Sequence, residues 1–258
     1  MKKFGLLGEK LSHSWSPIIH KYIYNECNID ASYELLECNE EELIKYIDLL
    51  KEGEYSGFNV TIPYKKTIMK YLDEIDSVAS SIGSVNTIYL KDGKVIGTNT
   101  DYDGFKLQLD YYNIDCLNKN AYVLGTGGAS LAIKKVLLDL GANVNSVSRN
   151  PKNDMLSYED LDNINNIDIL VNTTPVGMYP NVSLSPVKCD IARKAKVVID
   201  IIFNPLKTQL LEDSNSSYHG LFMLVGQALK SECIWLNEKI DIDLINIVKY
   251  VEDLKCKN

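Results

Sequence analysis

Short β-branched apolar runs alternate with longer stretches in which apolar residues recur every three or four positions, and the alternation continues through most of the chain. A period of two marks strands and one near 3.6 marks helices, so the pattern predicts an α/β protein with mainly parallel sheet flanked by helices. In the first part it predicts strands over residues 3–7, 32–38 and 57–61 and helices over 17–27 and 40–52. Runs at 87–90 and 94–97 flank Lys91-Asp92-Gly93, whose Asp-Gly pair signals a hairpin. From Ala121 the texture changes: a continuous apolar strand over 121–124 runs into Gly125-Thr126-Gly127-Gly128-Ala129-Ser130 and then a helical run to Leu140. Further strands are predicted at 143–148, 167–172 and 197–201, so that a second unit spans about 102–220. Residues 226–254 read as helical and amphipathic, with Leu244, Ile245, Ile247, Val248 and Val251 on one side, and are expected to return to the first domain.

Composition narrows the class without choosing the function. Hydrophobic residues make up 45% of the 258 and charged residues 24%, near the average for ordinary globular proteins. The N-terminus is too short in apolar residues for a signal-peptide core, and no run approaches membrane-spanning length. Cys27, Cys38, Cys116, Cys189, Cys233 and Cys256 are scattered without Cys-x-x-Cys spacing, which predicts reduced thiols in a cytosol rather than zinc or a disulfide framework. His13, His20 and His219 lack metal-ligand spacing, so no metal is expected and His20 reads as structural. A net charge of −8 with no basic cluster argues against nucleic acid, and an anionic ligand must be held by local cations and backbone amides.

The glycine turn supplies such amides. Strand, turn and helix occur in the order a dinucleotide site requires, with Gly125, Gly127, Gly128, Ala129 and Ser130 as the candidate pyrophosphate loop. Gly125 suits the tight turn, Gly127 lacks a side chain where a pyrophosphate would approach the helix N-terminus, and Ser130 is small enough for close helix packing. A tight turn that binds nothing is the bland alternative. Beyond the next strand the chain reads Ser148-Arg149-Asn150-Pro151-Lys152, where an NAD site would carry an acid for the ribose hydroxyls. Arg149 can grip a 2'-phosphate instead, with Ser148 and Lys152 beside it, so NADP is the expected cofactor unless Arg149 is only a solvated surface residue.

Polar residues gather beside the strands of the first domain. Ser14 and Ser16, two apart in an extended segment, could hold one carboxylate with both hydroxyls. Pro17 suits the first helical position, which makes Ser16 equally readable as an N-cap. Asn59 and Thr61 interrupt an apolar strand that leads into Pro63 and Lys65. Alone, Lys65 reads as solvated and Asp101 as a helix cap. With Ser84-Val85-Asn86-Thr87 and Gly97-Thr98-Asn99-Thr100-Asp101 they offer hydroxyls, amides, one ammonium and one carboxylate to a small polyhydroxylated ligand.

Eight segments in order resemble the bacterial shikimate dehydrogenase family over nearly the full length. They are Ser12-His13-Ser14-Trp15-Ser16-Pro17, Asn59-Val60-Thr61-Ile62-Pro63-Tyr64-Lys65, Val85-Asn86-Thr87 and Asn99-Thr100-Asp101, then the glycine turn, Asn172-Thr173-Thr174-Pro175-Val176-Gly177-Met178, Asp200-Ile201-Ile202-Phe203-Asn204-Pro205 and Gly226-Gln227-Ala228. The resemblance implies a substrate domain of residues 1–101 plus 221–258 facing a Rossmann-like NADP-binding domain of 102–220 across a cleft. It implies Ser14 and Ser16 on the shikimate carboxylate, Asn59, Thr61, Asn86, Asp101 and Gln227 on ring hydroxyls, and Gly226 with the cofactor residues. Lys65 and Asp101 would be the catalytic pair in reversible, NADPH-dependent reduction of 3-dehydroshikimate in the shikimate pathway to chorismate and aromatic amino acids. Hydride delivery leaves charge on the carbonyl oxygen, and Lys65 is placed either to give the proton or to act as an electrostatic anchor. A cytoplasmic monomer or homodimer is expected. Phe203 stands where the family commonly has tyrosine, which removes a hydroxyl from the expected substrate contacts. Lys21 stands where the family commonly has asparagine, and Ser148 departs from the commoner Asn-Arg-Thr form while keeping the arginine. A quinate/shikimate dehydrogenase is the alternative within enzymes, and a non-catalytic metabolite sensor the alternative outside them.

Overall fold

The alternation of apolar runs and amphipathic stretches becomes two β-sheets in a computed structural model that describes residues 1–255. Cys256 lies outside the described residues. The chain opens with β1 (Lys2–Gly8), α1 (Ser16–Glu26), β2 (Ala31–Glu37), α2 (Leu43–Lys51) and β3 (Gly57–Val60). There follow β4 (Glu74–Ile75), α3 (Ser77–Ile82), the hairpin β5 (Thr87–Lys91) and β6 (Lys94–Thr98), and α4 (Thr100–Tyr111). Next come β7 (Asn120–Leu124), α5 (Gly128–Asp139), β8 (Asn143–Val147), β9 (Ile169–Asn172), α6 (Cys189–Lys194) and β10 (Val197–Asp200). The chain ends with α7 (Gln209–Asp213), β11 (Ser217–His219), α8 (Leu221–Leu236) and α9 (Leu244–Lys255).

Two compact units result, one of residues 1–104 and 225–258 and the other of 105–224. In the first, six strands lie in the order β2-β1-β3-β5-β6-β4. β1 pairs in parallel with β2 and β3, β4 in parallel with β6, and the hairpin strand β5 runs antiparallel to both neighbours. Its core contains Leu7, Leu43, Leu50, Phe58, Ile68 and Ile88. A second cluster sets Phe4 and Tyr24 against Trp235 of α8. Gly57 is required there, because a Cβ would lie 2.2 Å from Trp235 Nε1, which donates to the Ile88 carbonyl at 3.1 Å.

In the second unit five strands in the order β11-β10-β9-β7-β8 are all parallel. Strands covered on both faces need continuous apolar runs, and β9 is buried throughout. α5 turns Ala132, Ile133, Val136 and Leu137 inward. The chain passes from β7 to β8 on one side and then to β9 on the other, so the strand order reverses beside β7, the place where such sheets bind ligands.

The structure differs from the pattern at the end of the chain, where the expected single helical stretch is two helices. Asn237 adopts a left-handed φ of 54°, and the Glu238 amide donates back to the Cys233 carbonyl, closing α8. No helix among the described residues is long and apolar enough to cross a membrane.

Candidate functional site

Lys65 follows the strand-to-turn segment after β3, and Asp101 sits in the first turn of α4. Lys65 Nζ donates to Asp101 Oδ2 at 2.6 Å, with the two side chains 14% and 9% exposed. Asp101 is therefore an ion-pair partner inside the helix, not a cap. Asn86 supports it: its Nδ2 donates to Asp101 Oδ1 at 2.9 Å and approaches Gln227 Oε1 at 3.5 Å. Asn86 Oδ1 in turn accepts from the Thr100 amide at 2.7 Å and the Thr87 hydroxyl at 3.0 Å. Buried amides are held by matching all their donors and acceptors, and that matching fixes the orientation of Asn86.

Asn59 is equally engaged. Its Nδ2 donates to Thr87 Oγ1 and Ser231 Oγ at 3.0 and 2.9 Å, and its Oδ1 accepts from the Tyr33 hydroxyl at 2.8 Å. Thr61, half-buried, follows β3 directly. Ser14 Oγ donates to Ser16 Oγ at 3.2 Å, so the paired hydroxyls do converge. The capping reading of Ser16 is corrected: Ser16 is the first residue of α1, Trp15 occupies the cap position, and no side chain caps the helix. Instead Ser14 Oγ accepts from the Ser16 amide at 3.3 Å.

In the other unit, Gly125 takes a φ of +106°, and a Cβ there would lie 2.8 Å from Thr173 Oγ1 of the segment after β9. Gly127 occupies the N-cap of α5, and a Cβ built on it meets nothing within 4 Å. Gly128 and Ala129 open the helix, and Ser130 donates to the Gly127 carbonyl at 2.6 Å. The turn thus presents free helical amides to open space at the reversal of strand order, which fits a pyrophosphate. Ser148 is half-buried just past β8, where its Oγ accepts from the Asn150 amide at 3.2 Å, while Arg149 and Lys152 are exposed. Arg149 acts on the Tyr158 phenol, which burial pushes up and the guanidinium pulls back. Gly226 is buried in α8 and belongs to the unit of Lys65, not to that of the glycine turn.

Sequence reasoning missed Asp200 as more than a motif residue. It is fully buried at the end of β10, where its carboxylate accepts from Thr208 Oγ1 at 2.7 Å, Asn172 Nδ2 at 3.0 Å and the Ile202 amide at 3.1 Å. Burial pushes its pKa up to about 6 against the pull of those donors. The signal available was an acid ending an apolar strand. Among the described residues no group of three or more His, Cys, Asp or Glu could hold a metal.

A parallel sheet with a glycine turn at its reversal point, in one chain with a sheltered lysine–carboxylate pair, defines a dinucleotide-dependent oxidoreductase. Residues 6–88 match the family model described as shikimate dehydrogenase substrate binding domain. A relative from Clostridium beijerinckii, shikimate dehydrogenase (NADP(+)), is 43% identical over 255 residues, covering 93% of this chain and 94% of its own. The crystal structure of shikimate dehydrogenase 1 from Peptoclostridium difficile superposes with a TM-score of 0.88 at 43% identity, over 100% of this chain and 99% of that one. That of shikimate 5-dehydrogenase from Thermus thermophilus in complex with NADP(H) and shikimate gives 0.86 at 27% identity, over 96% and 98%. This chain belongs to the NADP(+)-dependent shikimate dehydrogenase family.

Proposed function

We propose that the chain catalyses the reversible, NADPH-dependent reduction of 3-dehydroshikimate to shikimate, with residues 1–101 and 221–258 as the substrate domain and 102–220 as the cofactor domain. The observation that carries the site assignment is the sheltered Lys65–Asp101 pair at 2.6 Å, braced by Asn86. NADPH supplies the hydride when bound. Gly125, Gly127, Gly128, Ala129 and Ser130 hold its pyrophosphate, Ser148, Arg149 and Lys152 its 2'-phosphate side, and Gly226 completes its surroundings. Ser14 and Ser16 take the substrate carboxylate, and Asn59, Thr61, Asn86 and Gln227 face the ring hydroxyls. Lys65 stands at the carbonyl oxygen and stabilises the charge that develops there, while Asp101 keeps the ammonium aimed and accepts a ring hydroxyl. The enzyme works in the cytoplasm as a monomer or homodimer, in keeping with its free Cys27, Cys38, Cys116, Cys189 and Cys233. Initial rates with shikimate and quinate, each with NADP and NAD, test the reading. Shikimate with NADP should be fastest by a wide margin, and a chain that turns over none of the four combinations is not this enzyme.

A further inference from the structure

The unit that carries the glycine turn holds a buried acid with no part in the chemistry. Leu124, Asn172 and Asp200 are the last residues of β7, β9 and β10 and stand in register across the sheet, at the edge where the turn begins. Residues paired on adjacent parallel strands point to the same face, and there Asn172 Nδ2 donates to Asp200 Oδ1 at 3.0 Å. Both residues are wholly buried. An ionised carboxylate only accepts, so Asp200 obliges Asn172 to turn its amide nitrogen towards β10 and its amide oxygen away. That oxygen accepts from the Thr174 amide at 3.0 Å and from the Thr174 hydroxyl at 2.8 Å. The nitrogen also reaches the Val176 carbonyl at 3.4 Å, so Asn172 folds residues 172–176 around itself. Turned the other way, it would set its oxygen against the carboxylate and its nitrogen against the Thr174 amide.

The folded segment lies on the glycine turn. Thr173 gives its amide proton, at 3.0 Å, and its hydroxyl proton, at 2.6 Å, to the carbonyl of Leu124, the residue before Gly125. A Cβ built on Gly125 would lie 2.8 Å from Thr173 Oγ1 and 3.1 Å from Thr174 Cγ2. The two threonines therefore cover the α-carbon of Gly125, and a shift of theirs is passed to a residue held at φ +106°. Thr208 Oγ1 and the Ile202 amide hold the carboxylate itself, at 2.7 and 3.1 Å. Burying that charge among neutral donors is unfavourable, so what Asp200 contributes is direction rather than stability. We propose that Asp200, acting through Asn172, is the positioning residue that holds Thr173 and Thr174 on Gly125 and so sets the turn that receives the cofactor pyrophosphate.

That role rests on NADP binding at the glycine turn, and the test separates the two. At about pH 8, where Asp200 is ionised, Asp200→Asn should raise NADP KM and the Kd of NADPH about 5- to 20-fold, with kcat and shikimate KM within about twofold of wild type. The asparagine keeps the size of the side chain but no longer dictates which way Asn172 turns. Thr174→Val removes the hydroxyl that Asn172 receives and should raise the same two constants. Asp200→Asn added to it should raise them less than about twofold further, because the contact it serves is already broken. Thr208→Val takes a donor from the same carboxylate, so it should lower Tm while leaving NADP KM within about twofold. An unchanged NADP KM in Asp200→Asn, a loss confined to kcat, an undiminished loss in the Thr174→Val background, or an equal rise in Thr208→Val overturns the role. Should Asp200→Asn fail to fold, Thr174→Val decides alone, and an unchanged NADP KM there overturns it. A wild-type chain that binds no NADPH overturns the cofactor reading itself.

Discussion

Asp101 shows how one carboxylate can brace two neighbours at once. One oxygen takes Lys65 and the other takes Asn86, so neither the lysine nor the acid can leave its place without unpairing a buried donor. Lys65→Ala should therefore lower kcat by about 10² to 10⁴ while changing shikimate KM little, since its contact strengthens as charge develops on the oxygen. Steady-state rates in both directions measure this, and near-normal kcat would remove Lys65 from the chemistry. Asp200 is the opposite kind of acid, buried among neutral donors and pushed up to about 6. A folded-state pKa above the unfolded value means that the native state binds more protons between about pH 4 and 6, so the contribution is full below pH 4 and lost as pH rises through 6. A shift of about two units corresponds to about 3 kcal/mol at most. Denaturant melts of wild type and Asp200→Asn should thus differ by an amount that changes by up to about 3 kcal/mol between pH 4 and 7. A constant difference would show that Asp200 titrates normally.

At the scale of elements, what was legible depended on length and on position relative to a turn. β7, the glycine turn and α5 were readable because an apolar run, a glycine with φ +106° and a four-residue inward stripe coincide. β4 and β11, of two and three residues, are too short to show a period, and their pairing comes from neighbouring strands. α3 escaped for the same reason although Asp76 caps it, accepting from the Ala79 amide at 2.7 Å. The polar residues of the site could be gathered as candidates, but the sequence gives no sign that Ser231 and Glu232 on α8 face β3 and α1. Long-range side-chain partners are set by tertiary packing, which periodicity does not record. Two substitutions test the cofactor elements. Gly125→Ala places a Cβ against Thr173 in a conformation unfavourable to alanine, so it should lower Tm and raise NADP KM together. Arg149→Ala should raise NADP KM by only about 5- to 30-fold, because the guanidinium is exposed and screened by salt, and should leave NAD KM unchanged. Equal losses for both cofactors would assign Arg149 to adenine stacking.

At the scale of the molecule, the two units have separate cores, one around Phe58 and Leu50 and the other around Leu124 and Leu170. Chains of this kind need not unfold in a single step. Both tryptophans, Trp15 and Trp235, are buried in the unit of residues 1–104 and 225–258. Tryptophan fluorescence therefore follows that unit alone, whereas far-ultraviolet circular dichroism follows helices in both. A ligand that binds only the native form stabilises what it binds by about 2.7 kcal/mol at a hundred times Kd. If NADP is held chiefly by the glycine turn, saturating NADP should raise the dichroism midpoint and move the fluorescence midpoint much less. If shikimate is held by Ser14, Ser16 and Lys65, it should do the reverse and move the fluorescence midpoint first. The two probes recorded on one sample across a ligand series make the comparison. Midpoints that coincide and move together with either ligand would show that the units unfold as one cooperative body and that binding to one is felt in full by the other.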